Sequence, residues 1–239
     1  QAEYMKDMFS VDLLKGHFEN YLIIFKNFKI GQYLFNTLLV TVLKLVFTMP
    51  LAIFASYAFA KLRFRGKNAM YPLIISAMFI PFQVIMIPVY TMLTKLHMID
   101  TYRGLILVTG TIGIPSSIML LSSSFRSIPN ELLEAAAIDG CGYFRKIFHI
   151  MIPMGKPAIA ICTIMGFISS WNDLLPPMVI IKSVNKRLVM PALDGLVSMY
   201  NADTPFQLTG ILIAAVPAIA IYLILSKQII MGISAGSTK

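Results

Sequence analysis

Five long apolar stretches, at 35–60, 70–93, 104–125, 158–181 and 208–231, make up half of this 239-residue chain. Of its 20 basic and 11 acidic residues, those stretches hold only Lys44, Asp173 and Lys227. A helix rises about 1.5 Å per residue and the hydrocarbon core of a bilayer is about 30 Å thick, so about 20 residues suffice to cross it. Each stretch is long enough. The runs are continuous rather than alternating, which favours helices over barrel strands, since every backbone polar group in lipid must be paired. The expected fold is therefore an all-α polytopic transmembrane domain. Composition excludes the rival classes: 57% of residues are AVILMFWYC and 13% are charged, against about 45–50% and about 25% in soluble domains. With 14 Gly, 13 Pro and two Cys the chain is neither a collagen nor a disulfide scaffold.

The net charge of +9 raises nucleic acid as a partner, but the placement of the charges argues for membrane sidedness instead. Lys61, Arg63, Arg65 and Lys67 follow the first stretch; Arg126, Arg145, Lys146 and Lys156 separate the third from the fourth; Lys227 and Lys239 close the chain. The alternate connections carry only Lys95, Arg103, Lys182, Lys186 and Arg187. The positive-inside rule makes the first group cytoplasmic. Residues 1–34 become an extracytoplasmic segment with a short amphipathic helix around Tyr21 to Phe28, and 232–239 a cytoplasmic tail. An external N-terminus with five spans implies a further helix upstream of residue 1. Cys141 and Cys162 fall in a cytoplasmic loop and a span, which makes a disulfide between them improbable.

Prolines interrupt the spans at Pro50, Pro81, Pro88, Pro115, Pro176, Pro177 and Pro217, so kinked helices are expected. The stretch 182–207 is too polar to cross and is expected to be a long external loop, a contact surface for something outside the membrane. Segment 126–157 is the most informative. Pro129 suits a helix start, Glu131 and Glu134 sit where the helix dipole is positive, and Asp139-Gly140 stops the helix. A second short helix carries Tyr143, Phe144, Ile147, Phe148 and Met151 on one face, with Pro153 expected to end it. Two short helices bent at a glycine, with aromatic side chains to bury, fit either a cytoplasmic partner or the chain's own helix ends.

Glu134-Ala135-Ala136, then Gly140, then Ile150, Ile152 and Pro153 resemble the EAA loop of ABC importer permeases: EAA, three residues, G, nine residues, I, one residue, L-P. Ile152 stands where that pattern prefers Leu. Glu19-Asn20-Tyr21, Phe35-Asn36-Thr37, Ser56 to Ala60 running into Lys61 to Lys67, Phe125 to Pro129, Ser170 to Asp173 and Gly232 to Lys239 are similar to the carbohydrate branch of that family, the maltose and glycerol-3-phosphate type. The resemblance implies the type I ABC importer fold. It also implies a homologous second permease subunit, two cytoplasmic ATPase subunits holding ATP and Mg, an extracytoplasmic solute-binding protein, a carbohydrate substrate and a bacterial or archaeal cell membrane. Loop 126–157 would dock in the ATPase, with Glu134, Ala135, Ala136, Asp139, Gly140, Ile150 and Pro153 as coupling residues. The chain has no G-x-x-x-x-G-K-[ST] run, so the phosphate cradle is expected on another polypeptide.

For a substrate path the sequence offers Asp173, since an ionisable group inside a span is a functional candidate by default. Its neighbours Trp171 and Asn172 supply an aromatic face and an amide, the mixture that sugars favour. Gln83, Tyr57 and Tyr90 complete the candidates. The rival for Trp171-Asn172-Asp173 is a structural role at a helix break before Pro176-Pro177. Lys44 has no acidic neighbour at helical spacing and either snorkels or lines an aqueous cavity. His17, His97 and His149 lie in separate segments, which argues against a metal site. The other functional classes are an ion-gradient-driven secondary transporter, with Asp173 as coupling group, and a polytopic membrane enzyme. Few membrane carboxylates speak against the first, and the lack of a polar constellation against the second.

Overall fold

The structure, a computed structural model, describes residues 19–199, 207–221 and 223. All regular structure among them is helical. A short α1 (Glu19–Asn27) precedes α2 (Ile30–Lys61); α3 (Lys67–Ser76) passes through a 3-10 turn (Ala77–Phe79) to α4 (Phe82–Lys95). Next come α5 (Tyr102–Ser127) and α6 (Asn130–Ile138). A third long helix follows, made of α7 (Tyr143–Lys146), a π turn (Ile147–Met151) and α8 (Ile152–Trp171). Beyond it lie α9 (Leu175–Ile180), a 3-10 turn (Val184–Lys186), α10 (Val189–Met199) and α11 (Gln207–Ile221). The motif Gly232 to Lys239, Lys227, His17 and the end of the fifth apolar stretch lie outside the described residues.

Among the described residues, three helices are long and apolar enough to cross a bilayer: Ile30–Lys61, Tyr102–Ser127 and Tyr143–Trp171. They pack through small and hydroxyl side chains. Thr48 Oγ1 donates to the Gly110 carbonyl at 3.2 Å and Ser56 Oγ to that of Ile118 at 3.3 Å, joining α2 to α5. Thr41 Oγ1 donates to Ser170 Oγ at 3.2 Å, joining α2 to α8. A Cβ built on Gly110 would lie 2.7 Å from the Phe47 ring, and one on Gly155 2.5 Å from Phe125. Lipid offers no hydrophobic drive for helix association, so close backbone approach and interhelical hydrogen bonds take that role.

The boundaries depart from the sequence expectations at four places. The first span begins at Ile30, not 35. The stretch 70–93 is not one straight span, because Lys67–Phe79 and Phe82–Lys95 meet at 97°. Ile80 precedes a proline and is driven to an extended conformation (φ −87, ψ 109), which breaks the helix there. Pro153 does not end the second short helix, so the fourth span runs from Tyr143 to Trp171 rather than from 158 to 181. The π turn just before Pro153 carries the Ile152 N–H to the Ile147 carbonyl five residues back, accommodating the proline without a stop. Finally, 182–207 is not a plain loop. It contains α10, whose Val189, Ala192 and Leu196 are buried against Ile24, Ile30 and Trp171; residues 200–206 lie outside the described residues.

Candidate functional site

At one end of the bundle, α6 is tethered on one side and open on the other. Leu133 is buried in a cluster with Tyr57, Phe125, Ile128, Ile147 and Met151, and Ile150 packs against that cluster. Glu134, Ala135 and Asp139 are exposed, Ala136 is buried, and Pro153 is exposed at the start of α8. The Asp139 and Cys141 N–H groups close the helix onto Ala135 and Ala136. Gly140 stands at φ +77 with nothing within reach of a Cβ, so it is the backbone and not crowding that favours glycine there. Ile138 is 87% exposed, and Tyr143, Phe144 and Phe148 are exposed as well. The rings of Phe144 and Phe148 meet Phe54 edge-on at 6.0 and 6.2 Å, which covers them only in part.

Lys61, at the C-terminus of α2, pins this region. Its ammonium donates to the Ile128 carbonyl, to Asn130 Oδ1 at 2.9 Å and, more weakly, to the Arg126 carbonyl at 3.4 Å. One cation therefore gathers two backbone carbonyls at the end of α5 and the side-chain oxygen of Asn130 at the start of α6. Beside it the Arg126 guanidinium lies over the Tyr71 ring at 5.0 Å, and the Tyr71 hydroxyl meets Ser122 Oγ at 2.9 Å.

The six residues expected along a substrate path are distributed over three places. Tyr57 is buried at the α6 end, where it forms part of the footing of that helix. Trp171 is only 2% exposed; it stacks on Phe167 at 5.4 Å and its Nε1 donates to the Ala214 carbonyl at 3.0 Å, so it locks α8 to α11. An amphipathic aromatic such as Trp171 suits a core with a polar partner as well as it suits a sugar. Asn172 caps α8, its amide donating to the Ile168 carbonyl at 2.9 Å. Gln83 is exposed on α4, and Tyr90 on the same helix lies under the Lys182 ammonium at 5.4 Å. Asp173 lies in the break before α9 and acts electrostatically on Lys44, the acidic counterpart that helical spacing along α2 lacks.

At the far end, Asn36 donates to the Asn185 and Arg187 carbonyls at 2.9 and 3.0 Å, and the Val189 N–H donates to Thr37 Oγ1 at 2.8 Å. Asp100, at φ +59 in the α4–α5 connection, accepts from the Ser183 hydroxyl, from the Lys182 and Ser183 N–H groups and from the Lys186 ammonium. These bonds, those of Ser183 foremost, hold its carboxyl well below the usual carboxylate range.

Residues 48–233 match the family described as "Binding-protein-dependent transport system inner membrane component". The chain belongs to this family. Two curated relatives come from Bacillus subtilis (strain 168). One is the arabinooligosaccharides transport system permease protein AraQ, 30% identical, with 93% of this chain and 79% of that protein covered. The other is the probable ABC transporter permease protein YurM, 32% identical, with 93% and 74% covered. The diacetylchitobiose uptake system permease protein NgcG of Streptomyces coelicolor is 29% identical over 92% of this chain and 74% of its own length. Among solved structures, a bacterial ABC transporter that imports the acidic polysaccharide alginate superposes with a TM-score of 0.76 at 25% identity, covering 88% of this chain and 79% of that one. A second alginate transporter structure, at 16% identity and a TM-score of 0.72, shares the fold. The fold of this permease is the type I ABC importer fold. The bonds of Lys61 and Asp100 have no sequence signal, although Lys61 opens one of the resembling motifs, because their acceptors and donors come from 65 to 86 residues away. Only the folded permease brings them together.

Proposed function

We propose that this chain is the permease subunit of an ATP-driven importer of a sugar or sugar derivative, in a bacterial or archaeal inner membrane, paired with a homologous permease. Two cytoplasmic ATPase subunits supply the ATP and Mg sites, and an extracytoplasmic solute-binding protein delivers the solute. Segment 126–157 transmits the ATPase movement to the spans. The observation that supports this reading best is the two-sided character of α6 and of α7 with its π turn: Leu133 and Ile147 are buried in the bundle while Ile138, Tyr143 and Phe144 are exposed. An amphipathic helix seated in a groove is a recurrent way to bury such a face, and a rigidly footed helix passes motion on as a lever. The permease names of the relatives support the sugar class.

The chain expressed with tagged ATPase subunits from its own cell is expected to co-purify with them, and an Ile138→Cys variant to cross-link to an ATPase surface cysteine. Gly140→Pro imposes a φ of about −65° where the backbone stands at +77°, and Glu134→Lys reverses an exposed charge. Both variants are expected to reach the membrane and hydrolyse ATP while uptake falls about tenfold or more, the loss that about 1.4 kcal/mol of coupling produces. Wild-type uptake in both would overturn the coupling role.

A further inference from the structure

Lys44 lies in the middle of α2 and is only 6% exposed. Among the described residues its ammonium makes neither a hydrogen bond nor a direct ion pair, and Asp173 acts on it across space. It lines a partly open cavity of about 380 Å³ between α2, α5 and α8, with Met78 of the 3-10 turn after α3 and three further methionines in the wall. That volume is in the range of small-ligand sites. The polar lining is otherwise hydroxyl: Thr48, Ser116, Ser117 and Ser169. Thr48 donates its proton to the Gly110 carbonyl, and Ser116 and Ser117 donate theirs to that of Gly113 at 3.1 and 2.9 Å. With donors committed to the backbone, these three oxygens are left as acceptors for a ligand's hydroxyl groups. Lys44 offers the reverse, three donors and a full charge in a poorly hydrated place.

We infer that this cavity is where the subunit itself contacts the translocated solute, and that Lys44 makes it selective for a hydroxylated solute bearing an anionic oxygen, such as the carboxylate of a sugar acid. This rests on the permease reading above and adds a substrate class to it. In the empty state Asp173 balances the Lys44 charge; a solute carboxylate entering beside the ammonium supplies the direct partner that the protein does not. A cationic solute meets a like charge at the ammonium, and a neutral one gains no ion pair. The cavity walls belong to helices that move against one another if the spans rock, so the contact can form in one state and be broken in the other.

The test labels a cysteine at position 169 (Ser169→Cys, with Cys141→Ser and Cys162→Ser) in the complete chain in membrane vesicles. It compares the anionic 2-sulfonatoethyl and the cationic 2-(trimethylammonio)ethyl methanethiosulfonates. The anionic reagent is expected to react about tenfold faster relative to the cationic one than it does with free cysteine, the size of a single-charge effect at short range in a partly hydrated site. Lys44→Gln should abolish that ratio and Lys44→Arg should keep it. If Lys44→Gln lowers the amount of protein, Lys44→Gln with Asp173→Asn removes both charges and carries the comparison. Glucuronate should slow labelling several-fold more than glucose at equal concentration. No labelling by either reagent, a ratio indifferent to Lys44, or equal protection by the two sugars overturns the inference. Labelling needs only this chain in its membrane, so such a failure is distinct from a failure of ATPase co-purification, which would overturn the permease reading instead.

Discussion

Asp100 and Lys61 are single charges that each tie together segments distant in sequence. The Asp100 carboxyl is held below its ordinary value chiefly by the Ser183 hydroxyl and N–H, with Lys186 and the Lys182 N–H adding to it. Its folded-state pKa therefore lies below the unfolded value of about 3.9. The stabilisation is fully present above that pH and is lost as the pH falls through the lower, folded value. Asp100→Asn is expected to lower the thermal midpoint at pH 7 by about 2–4 °C, the change that about 1 kcal/mol makes in a chain of this size. It should also flatten the acid side of the midpoint-versus-pH curve below about pH 4; superimposable curves would contradict the role. Lys61→Met removes three donated bonds at the foot of α6. A hydrogen bond to a charged group is worth about 1.5–3 kcal/mol when shielded and less when exposed. The expected result is lower uptake per ATP hydrolysed at unchanged protein level, with recovery in Lys61→Arg, measured in proteoliposomes. Asp100 did not stand out in the sequence, and Lys61 did so only as the first residue of a basic motif. Glu134 and Gly140 did stand out, because their pattern is local.

At the scale of elements, what the structure changes is where helices begin and end. Pro81 lies inside a long apolar run and Pro153 just ahead of one, and both read in sequence as helix breakers. One breaks a helix by 97° and the other is absorbed by a π turn. The difference lies in the surroundings: Ile147 and Met151, inside the π turn, are buried against Tyr57 and Phe125, a contact that holds the helix together across the irregular hydrogen bonds. The α5–α8 crossing depends on the absence of a side chain at Gly155. Its Cβ would stand 2.5 Å from the Phe125 ring, and Phe125 is fully buried with no room to withdraw. Gly155→Ala is expected to destabilise by about 1–3 kcal/mol through overpacking, read as a lower thermal midpoint in detergent. An unchanged midpoint would mean that the helices part freely there.

For the molecule as a whole, α2 is the axis of reference. Its 32 residues span about 48 Å, with Asn36 bonded to the 185–187 segment near one end and Lys61 to the start of α6 at the other. The two surfaces carrying the proposed contacts, with the binding protein and with the ATPase, therefore stand at opposite ends of one helix. A membrane-impermeant thiol reagent applied to intact cells is expected to label Val184→Cys in a Cys162→Ser background but not the native Cys141, and inside-out vesicles should give the reverse. Labelling of both from the same side would refute the assigned sidedness and, with it, the placement of α6 against a cytoplasmic partner.

Hydropathy and charge placement were enough to assign a helical membrane domain, since desolvation of a charge or an unpaired backbone is a local cost that each segment must meet alone. The spacing of Glu134, Gly140, Ile150 and Pro153 was likewise legible, because a helix stop followed by a second helix is written within twenty residues. Tertiary contacts alone decided the surroundings of Tyr57 and Trp171, the approach of Asp173 to Lys44, the fate of Pro81 and Pro153 and the burial of α10. In each of these the same side chain has two good environments, and which one it occupies depends on atoms contributed by helices far away in the chain.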